Sequence, residues 1–220
     1  MKVLDYIYLI EGILYDSNCY IIGEDELIMV DCGTGFNMDY IYNKMEKLGL
    51  NPNRIVNIIL SHVHFDHCGG LNRFLNDYNP EISVFENEAP FLESADRRML
   101  LLDMFGGSFK PVIVDNLLKD GQIIKVKPYD FKVIHTPGHT MGSICLYEER
   151  LKLLISGDTV FAGGSFGRVD LPSGSLSQLS ESVKRLSKLD VKYILPGHMN
   201  LSYEGNKDIS LICNMLDEVY

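Results

Sequence analysis

Six histidines occur in the 220 residues, and three of them fall in one string of six, His62-Val63-His64-Phe65-Asp66-His67. Imidazoles and a carboxylate set this densely are costly to bury without partners. A histidine-rich surface loop is a poor account of them. Their chemistry suits a divalent metal, because neutral imidazole and carboxylate are donors for zinc, iron and manganese. Three further groups have the same character. His139 lies in Thr136-Pro137-Gly138-His139-Thr140, Asp158 in Ser156-Gly157-Asp158-Thr159, and His198 in Pro196-Gly197-His198. Any one alone reads as a turn residue; with the six-residue string they form a constellation of metal ligands.

The segments before these groups read as strands, so each ligand stands on a loop at a strand's C-terminal end. Arg54–Leu60, with the core IVNIIL, is a buried strand ahead of Ser61 and the histidine string. Phe131–Thr136 precedes His139, Leu151–Ser156 precedes Asp158, and Tyr193–Leu195 precedes His198. Further strands are expected at Leu4–Ile10, Cys19–Gly23, Leu27–Asp31, Ile82–Phe85, Gln122–Val126 and Ser143–Tyr147. Helical spacing runs over Asn37–Leu48 with Gly49 as its cap, over Leu71–Leu75, over Asn87–Met104 closed by Gly106-Gly107, over Leu176–Leu189 and over Asn206–Val219. Each half runs from strands into strand–helix alternation. The simplest packing is sheet on sheet with helices outside, an α/β protein.

Composition narrows the partners. Twenty basic against thirty acidic residues give a formal charge of −10, and no basic block is present, which disfavours a nucleic acid. No apolar run approaches the ~20 residues that cross a bilayer, and the N-terminus reads as a strand rather than a signal peptide. The five cysteines, at 19, 32, 68, 145 and 213, are odd in number and contain no CxxC pair. Reduced thiols in a cytoplasmic protein are the simpler expectation, with neither a disulfide framework nor a cysteine-built zinc site. The glycines at 69, 70, 163, 164 and 167 match no nucleotide-binding pattern. The length fits one domain, taken as 1–220.

The pattern His62-x-His64-x-Asp66-His67, followed by His139, Asp158 and His198, resembles the metallo-β-lactamase superfamily; Asp31-Cys32-Gly33 matches that family's Asp-x-Gly after an early strand. The stretch from Ser156-Gly157-Asp158-Thr159-Val160-Phe161 to Gly167-Arg168-Val169-Asp170-Leu171-Pro172 is similar to the short glyoxalase II-like branch, relatives of hydroxyacylglutathione hydrolase, although Ser173-Gly174 stands where that branch often has two glycines. The resemblance implies a four-layer αββα sandwich of two mixed sheets with helices outside. It implies two divalent ions, zinc first and iron or manganese as alternatives. His62, His64 and His139 would hold one ion, Asp66, His67 and His198 the other, and Asp158 both.

The implied reaction is attack of a metal-bound hydroxide on a thioester or related acyl bond of a small molecule, with Asp66 orienting the nucleophile. Two alternatives stand beside it. A mononuclear iron persulfide dioxygenase would use the equivalents of His62, His139 and Asp158, and a lactonase is a second hydrolytic option. After His198 the tail carries Lys207 as its single cation, so glutathione is not the implied substrate by default. Asp31 is expected either to accept a hydrogen bond from a ligand histidine or to form a buried turn. Cys68 is read as a packing residue, His135 as a structural one, and Arg168 with Asp170 as a pair that holds its loop. The Asn87–Met104 segment is read as a core-packing helix, with a Met/Phe-lined wall or lid over a site or a dimer contact as the alternative; the apolar stretch Met99–Phe105 suits internal packing or a homodimer contact, and substrate-binding residues are not assigned.

Overall fold

The computed structural model describes residues 1–217. The chain divides into two compact units, Met1–Leu118 with Lys125–Asp130, and Lys119–Ile124 with Phe131–Tyr220.

The first unit is built on a seven-stranded mixed sheet of β1 (Lys2–Leu4), β2 (Ile7–Ile10), β3 (Cys19–Ile22), β4 (Leu27–Val30), β5 (Ile55–Ile59), β6 (Glu81–Phe85) and β7 (Asn116–Leu118), in that order. The first four pair antiparallel and the rest parallel. Parallel pairing of β4 with β5, with Val30 opposite Ile59, makes both strands end at one edge. Asp31 and Ser61 therefore leave the sheet side by side, and everything that follows at the site depends on this. The helix α1 (Met38–Lys47) buries Met38, Ile41 and Met45, an apolar face at helical spacing, and Gly49 takes the left-handed conformation that closes it. These side chains join Leu71 and Phe74 in the core over the sheet. The short α2 (Phe65–Cys68) carries the end of the histidine string and α3 (Leu71–Asp77) follows it.

Two expectations are corrected in this unit. Leu4–Ile10 is a hairpin rather than one strand, because Tyr6 adopts a positive φ and turns the chain so that Leu4 pairs with Ile7. Asn87–Met104 is not one helix: it is α4 (Ala89–Ser94), a connecting segment, and α5 (Leu102–Phe105). Ala95 and Leu101 are both left-handed, and the Asp96 carboxylate accepts hydrogen bonds from the backbone N–H groups of Arg98 and Met99, 3.0 Å each, which competes with helix continuation.

The second unit carries a five-stranded mixed sheet in the order β12 (Tyr193–Pro196), β11 (Leu153–Gly157), β10 (Ile144–Glu148), β9 (Tyr129–His135) and β8 (Ile123–Val126). Antiparallel pairing of β9 with β10 and of β10 with β11, then parallel pairing of β11 with β12, points β9, β11 and β12 the same way. Their C-terminal ends carry His139, Asp158 and His198 in turn. Two helices cover this sheet. In α6 (Leu176–Leu186) the buried Leu179, Val183 and Leu186 recur at i, i+4 and i+7, and Ser175 caps the start by accepting from Gln178 N. In α7 (Gly205–Asp217) the buried Ile209, Ile212 and Leu216 recur at i, i+3 and i+7. All six side chains share a core with Ile134, Leu154 and Ile194. The last two residues of the helix expected at Asn206–Val219 lie outside the described residues.

Candidate metal centre

In the first unit the chain leaves β5 at Leu60 and delivers His62, His64, Asp66 and His67 in one tight passage, with all four side chains buried. Four contacts fix how the rings stand. Asp31 Oδ1 accepts from Ser61 N at 2.8 Å, and Asp31 Oδ2 accepts from Ser61 Oγ at 2.7 Å and from His67 Nδ1 at 2.9 Å. Ser61 Oγ, with its proton committed to Asp31, faces His62 Nδ1 at 3.1 Å and accepts from it. Nδ1 therefore carries the proton on both His62 and His67, and the lone pair of each lies on Nε2. His62 Nε2 stands 3.1 Å from His64 Nδ1, and His67 Nε2 stands 3.7 Å from Asp66 Oδ2. These are electron-pair donors gathered together in a buried place, a donor set that a divalent cation fits.

The backbone of the string is held from outside. Glu88, a fully buried carboxylate at the start of α4, accepts from Val63 N at 2.8 Å through Oε2. Cys68 Sγ points at Val63 O at 3.2 Å. Burial pushes the thiols of Cys32 and Cys68 well above the usual thiol range, so both stay protonated packing groups and offer no thiolate. Glycine is obligatory behind the string, since a Cβ on Gly70 would stand 2.2 Å from Cys32 O.

In the second unit the strand ends bring His139, Asp158 and His198 together. One oxygen, Asp158 Oδ2, stands 3.6 Å from His139 Nε2 and 3.7 Å from His198 Nε2. Both separations exceed a hydrogen bond and suit a carboxylate shared between ligand positions. His139 Nδ1 donates to Arg168 O at 2.6 Å, which again leaves the lone pair on Nε2. The loop can come this close because residue 167 is glycine: a Cβ there would stand 2.1 Å from Asp158 O and 2.9 Å from His139 Nδ1. Gly138 has φ +141°, and a Cβ on it would stand 2.4 Å from Leu179 N. Arg168 forms a two-pronged pair with Asp170 at 2.9 and 2.7 Å, an exposed clamp within its own loop. His135 Nε2 donates to Met141 O, 3.0 Å away, and lies on β9 outside the cluster.

Glu88 was not expected. No motif distinguishes it from other surface-type glutamates, and only its burial against Val63 N reveals its place.

The model of the metallo-β-lactamase superfamily matches residues 12–198. The chain belongs to that superfamily. The hydroxyacylglutathione hydrolase of Haemophilus influenzae is 30% identical over 204 residues, covering 88% of this chain and 90% of that protein. An acyl-coenzyme A thioesterase of Gallus gallus is 30% identical over 203 residues, covering 81% and 70%. Among solved structures, the metallo-β-lactamase GOB-18 of Elizabethkingia meningoseptica aligns with a TM-score of 0.80 at 21% identity, over 100% of this chain and 90% of its own. TTHA1623, solved in a di-iron-bound form, aligns with a TM-score of 0.75 at 25% identity, over 91% and 96%. The fold is the αββα sandwich of these structures, with two mixed sheets and peripheral helices. Superfamily membership together with the gathered histidines and aspartates makes the chain a metal-dependent hydrolase with a divalent metal cofactor. Among the described residues no helix is long and apolar enough to cross a membrane.

Proposed function

We propose that this chain is a binuclear hydrolase of the glyoxalase II-like kind that cleaves a thioester or a related acyl bond in a small molecule. The observation that carries the reading is that two relatives matched over most of both chains, a hydroxyacylglutathione hydrolase and an acyl-coenzyme A thioesterase, are both named for acyl compounds. By the family resemblance, the residues that would hold the ions are His62, His64 and His139 for one and Asp66, His67 and His198 for the other, with Asp158 shared. Zinc is the first choice for such nitrogen and oxygen donors, with iron or manganese as alternatives. Bound there, two such ions lower the pKa of water and polarise a carbonyl.

The chain's own residues do the rest. Asp31 and Ser61 orient His67 and His62, and the carbonyl of Arg168 orients His139. Asp66 is more open than His67 beside it, and its carboxylate orients the attacking water and holds a proton during attack. The five cysteines are free thiols and four of them are buried, which supports the reading of a protein working in a reducing compartment such as the cytoplasm.

The test is elemental analysis of protein made in medium containing zinc, iron and manganese, followed by turnover of S-acylglutathiones, acyl-coenzyme A thioesters and lactones. About two metals per chain with thioester hydrolysis is the expected result. A single iron per chain, with oxygen consumed in the presence of glutathione persulfide, would overturn it.

A further inference from the structure

Thr136 opens the turn that leads to His139, and Thr159 follows Asp158 directly. Both residues are fully buried in the second unit, and their hydroxyls meet at 2.9 Å. Thr136 lies one residue beyond β9 and Thr159 two beyond β11. These strands are not neighbours in the sheet, because β10 runs between them. The ladder therefore does not tie their ends together, and the two side chains make that connection.

The direction of the bond follows from its surroundings. Thr136 Oγ1 also reaches Ser143 O at 3.4 Å, and a carbonyl can only accept. The Thr136 proton has its outlet there, so Thr159 donates the 2.9 Å bond. Cys145 Sγ stands 3.5 Å from Thr136 Oγ1 and donates to Ser156 O at 3.6 Å. Around these groups the core is apolar, with Ile134, Val160 and Leu179 among its members. A pair of hydroxyls placed there adds little stability over a pair of methyl groups, since each has given up water for the other. What it adds is a fixed distance, because threonine is stiff about χ1 and the bond forms in one arrangement only.

That distance bears on the ligands. The turn from Thr136 to His139 is also held on its other side, where Ser182 Oγ on α6 donates to Pro137 O at 2.7 Å. One residue before Thr159, Asp158 Oδ2 stands 3.6 Å from His139 Nε2. The third strand end is joined through backbone, as Gly197 N donates to Gly157 O at 2.8 Å next to His198. The spacing of His139 and Asp158 thus depends on a side-chain bond that neither ligand makes.

We propose that Thr136 and Thr159 are positioning residues that together set the spacing of His139 and Asp158, and through it the affinity for metal. The inference rests on the metal-centre reading above and adds to it the pair that tunes the centre from within the core. Neither threonine touches the ion; both act through the turns that they tie.

The experiment uses the zinc-loaded full chain as wild type, Thr136→Val, Thr159→Val, the double valine variant and Thr159→Ser. Valine keeps the shape of threonine and removes the hydroxyl. Urea midpoints report stability, and competition against a chelator reports the dissociation constant for zinc. Each single valine variant leaves a buried hydroxyl without its partner, so its midpoint should fall and its dissociation constant should rise by about 10–100-fold. The double variant leaves neither hydroxyl, so its midpoint should rise above those of both singles. Its zinc should stay as weakly held as theirs, because the bond that sets the spacing is still missing. Thr159→Ser keeps the bond and should recover most of the affinity. A double variant that binds zinc as wild type does, or affinities that simply follow the midpoints across the set, would overturn the proposal and leave the pair a packing feature. One zinc per chain in the wild type would sink the binuclear reading alone. His139 and Asp158 belong to the single-ion arrangement as well, so the comparison of dissociation constants still decides the proposal.

Discussion

His67 Nδ1 lies 2.9 Å from Asp31 Oδ2, a bond made from the short α2 to the end of β4, with both side chains buried. It sets the tautomer that leaves His67 Nε2 as a donor. Replacing the carboxylate by an amide, Asp31→Asn, disturbs that bond and the one to Ser61 Oγ together. Metal affinity should fall by about 10–100-fold, the usual cost of losing such an outer partner. Competition against a chelator measures it, and an unchanged dissociation constant would remove Asp31 from the positioning of His67.

Glu88 tests a different support. In Glu88→Ala the buried Val63 N–H loses its acceptor, which costs about 1–3 kcal/mol of stability. Glu88→Gln keeps an oxygen at that place and should recover most of the loss. Urea unfolding of the three proteins, with metal content measured alongside, checks both halves. Equal midpoints for all three would show that the loop needs no help from Glu88.

Asp66 separates binding from chemistry. If its carboxylate positions the water, Asp66→Ala should lower kcat by about two orders of magnitude or more. Metal content must be determined on the same sample, since Asp66 is also a predicted ligand. Turnover that survives with metal retained would exclude Asp66 from the mechanism.

Gly167→Ala should cripple the site without touching a ligand. The new methyl would stand 2.1 Å from Asp158 O and 2.9 Å from His139 Nδ1, and neither neighbour is the free end of a flexible chain. Displacement costs about 1–3 kcal/mol, typical of overpacking. A fall in melting temperature together with reduced metal content is the expected outcome. A variant with wild-type values in both would show that the loop yields easily.

Alkaline pH should weaken the fold through its buried thiols. Burial pushes the Cys145 thiol from 9.0 up to about 11, with hydrogen bonds from Thr136 and Thr159 opposing the rise. The folded state thus holds the proton more tightly than the unfolded state does. Its stabilisation is fully present below pH 9 and is lost as pH rises from 9 towards 11. The loss from this group is on the order of 3 kcal/mol at most. Denaturant midpoints measured from pH 8 to 11 should fall over that window. In Cys145→Ala they should fall less, and an equal fall would place the alkaline sensitivity elsewhere.

Much of this protein is legible from residue order. The strand ahead of each ligand shows as an apolar run, and α1 and α6 show as apolar spacing, because both signals arise from neighbours within one element. The expected Asp31 bond and the Arg168–Asp170 pair are both found. Other elements are hidden for a local reason. Tyr6, Ala95 and Leu101 take positive φ without being glycine, so nothing in their side chains announces the turn at Tyr6 or the break between α4 and α5. The strand β7 is only Asn116–Leu118, too short for any period to show.

The residue types and their spacing by themselves determined the kind of chemistry, because a dense run of imidazole and carboxylate after a strand has few other uses. They did not determine which nitrogen of each imidazole carries the proton, what holds the loop, or what surrounds it. Those follow from contacts between residues far apart in the chain: Asp31 with His67, Glu88 with Val63, Arg168 with His139, and the rings of Tyr15, Phe36 and Phe105 with Phe65. A hydrogen bond depends on a few tenths of an ångström and on the direction of the donor, and only the packed tertiary structure sets either.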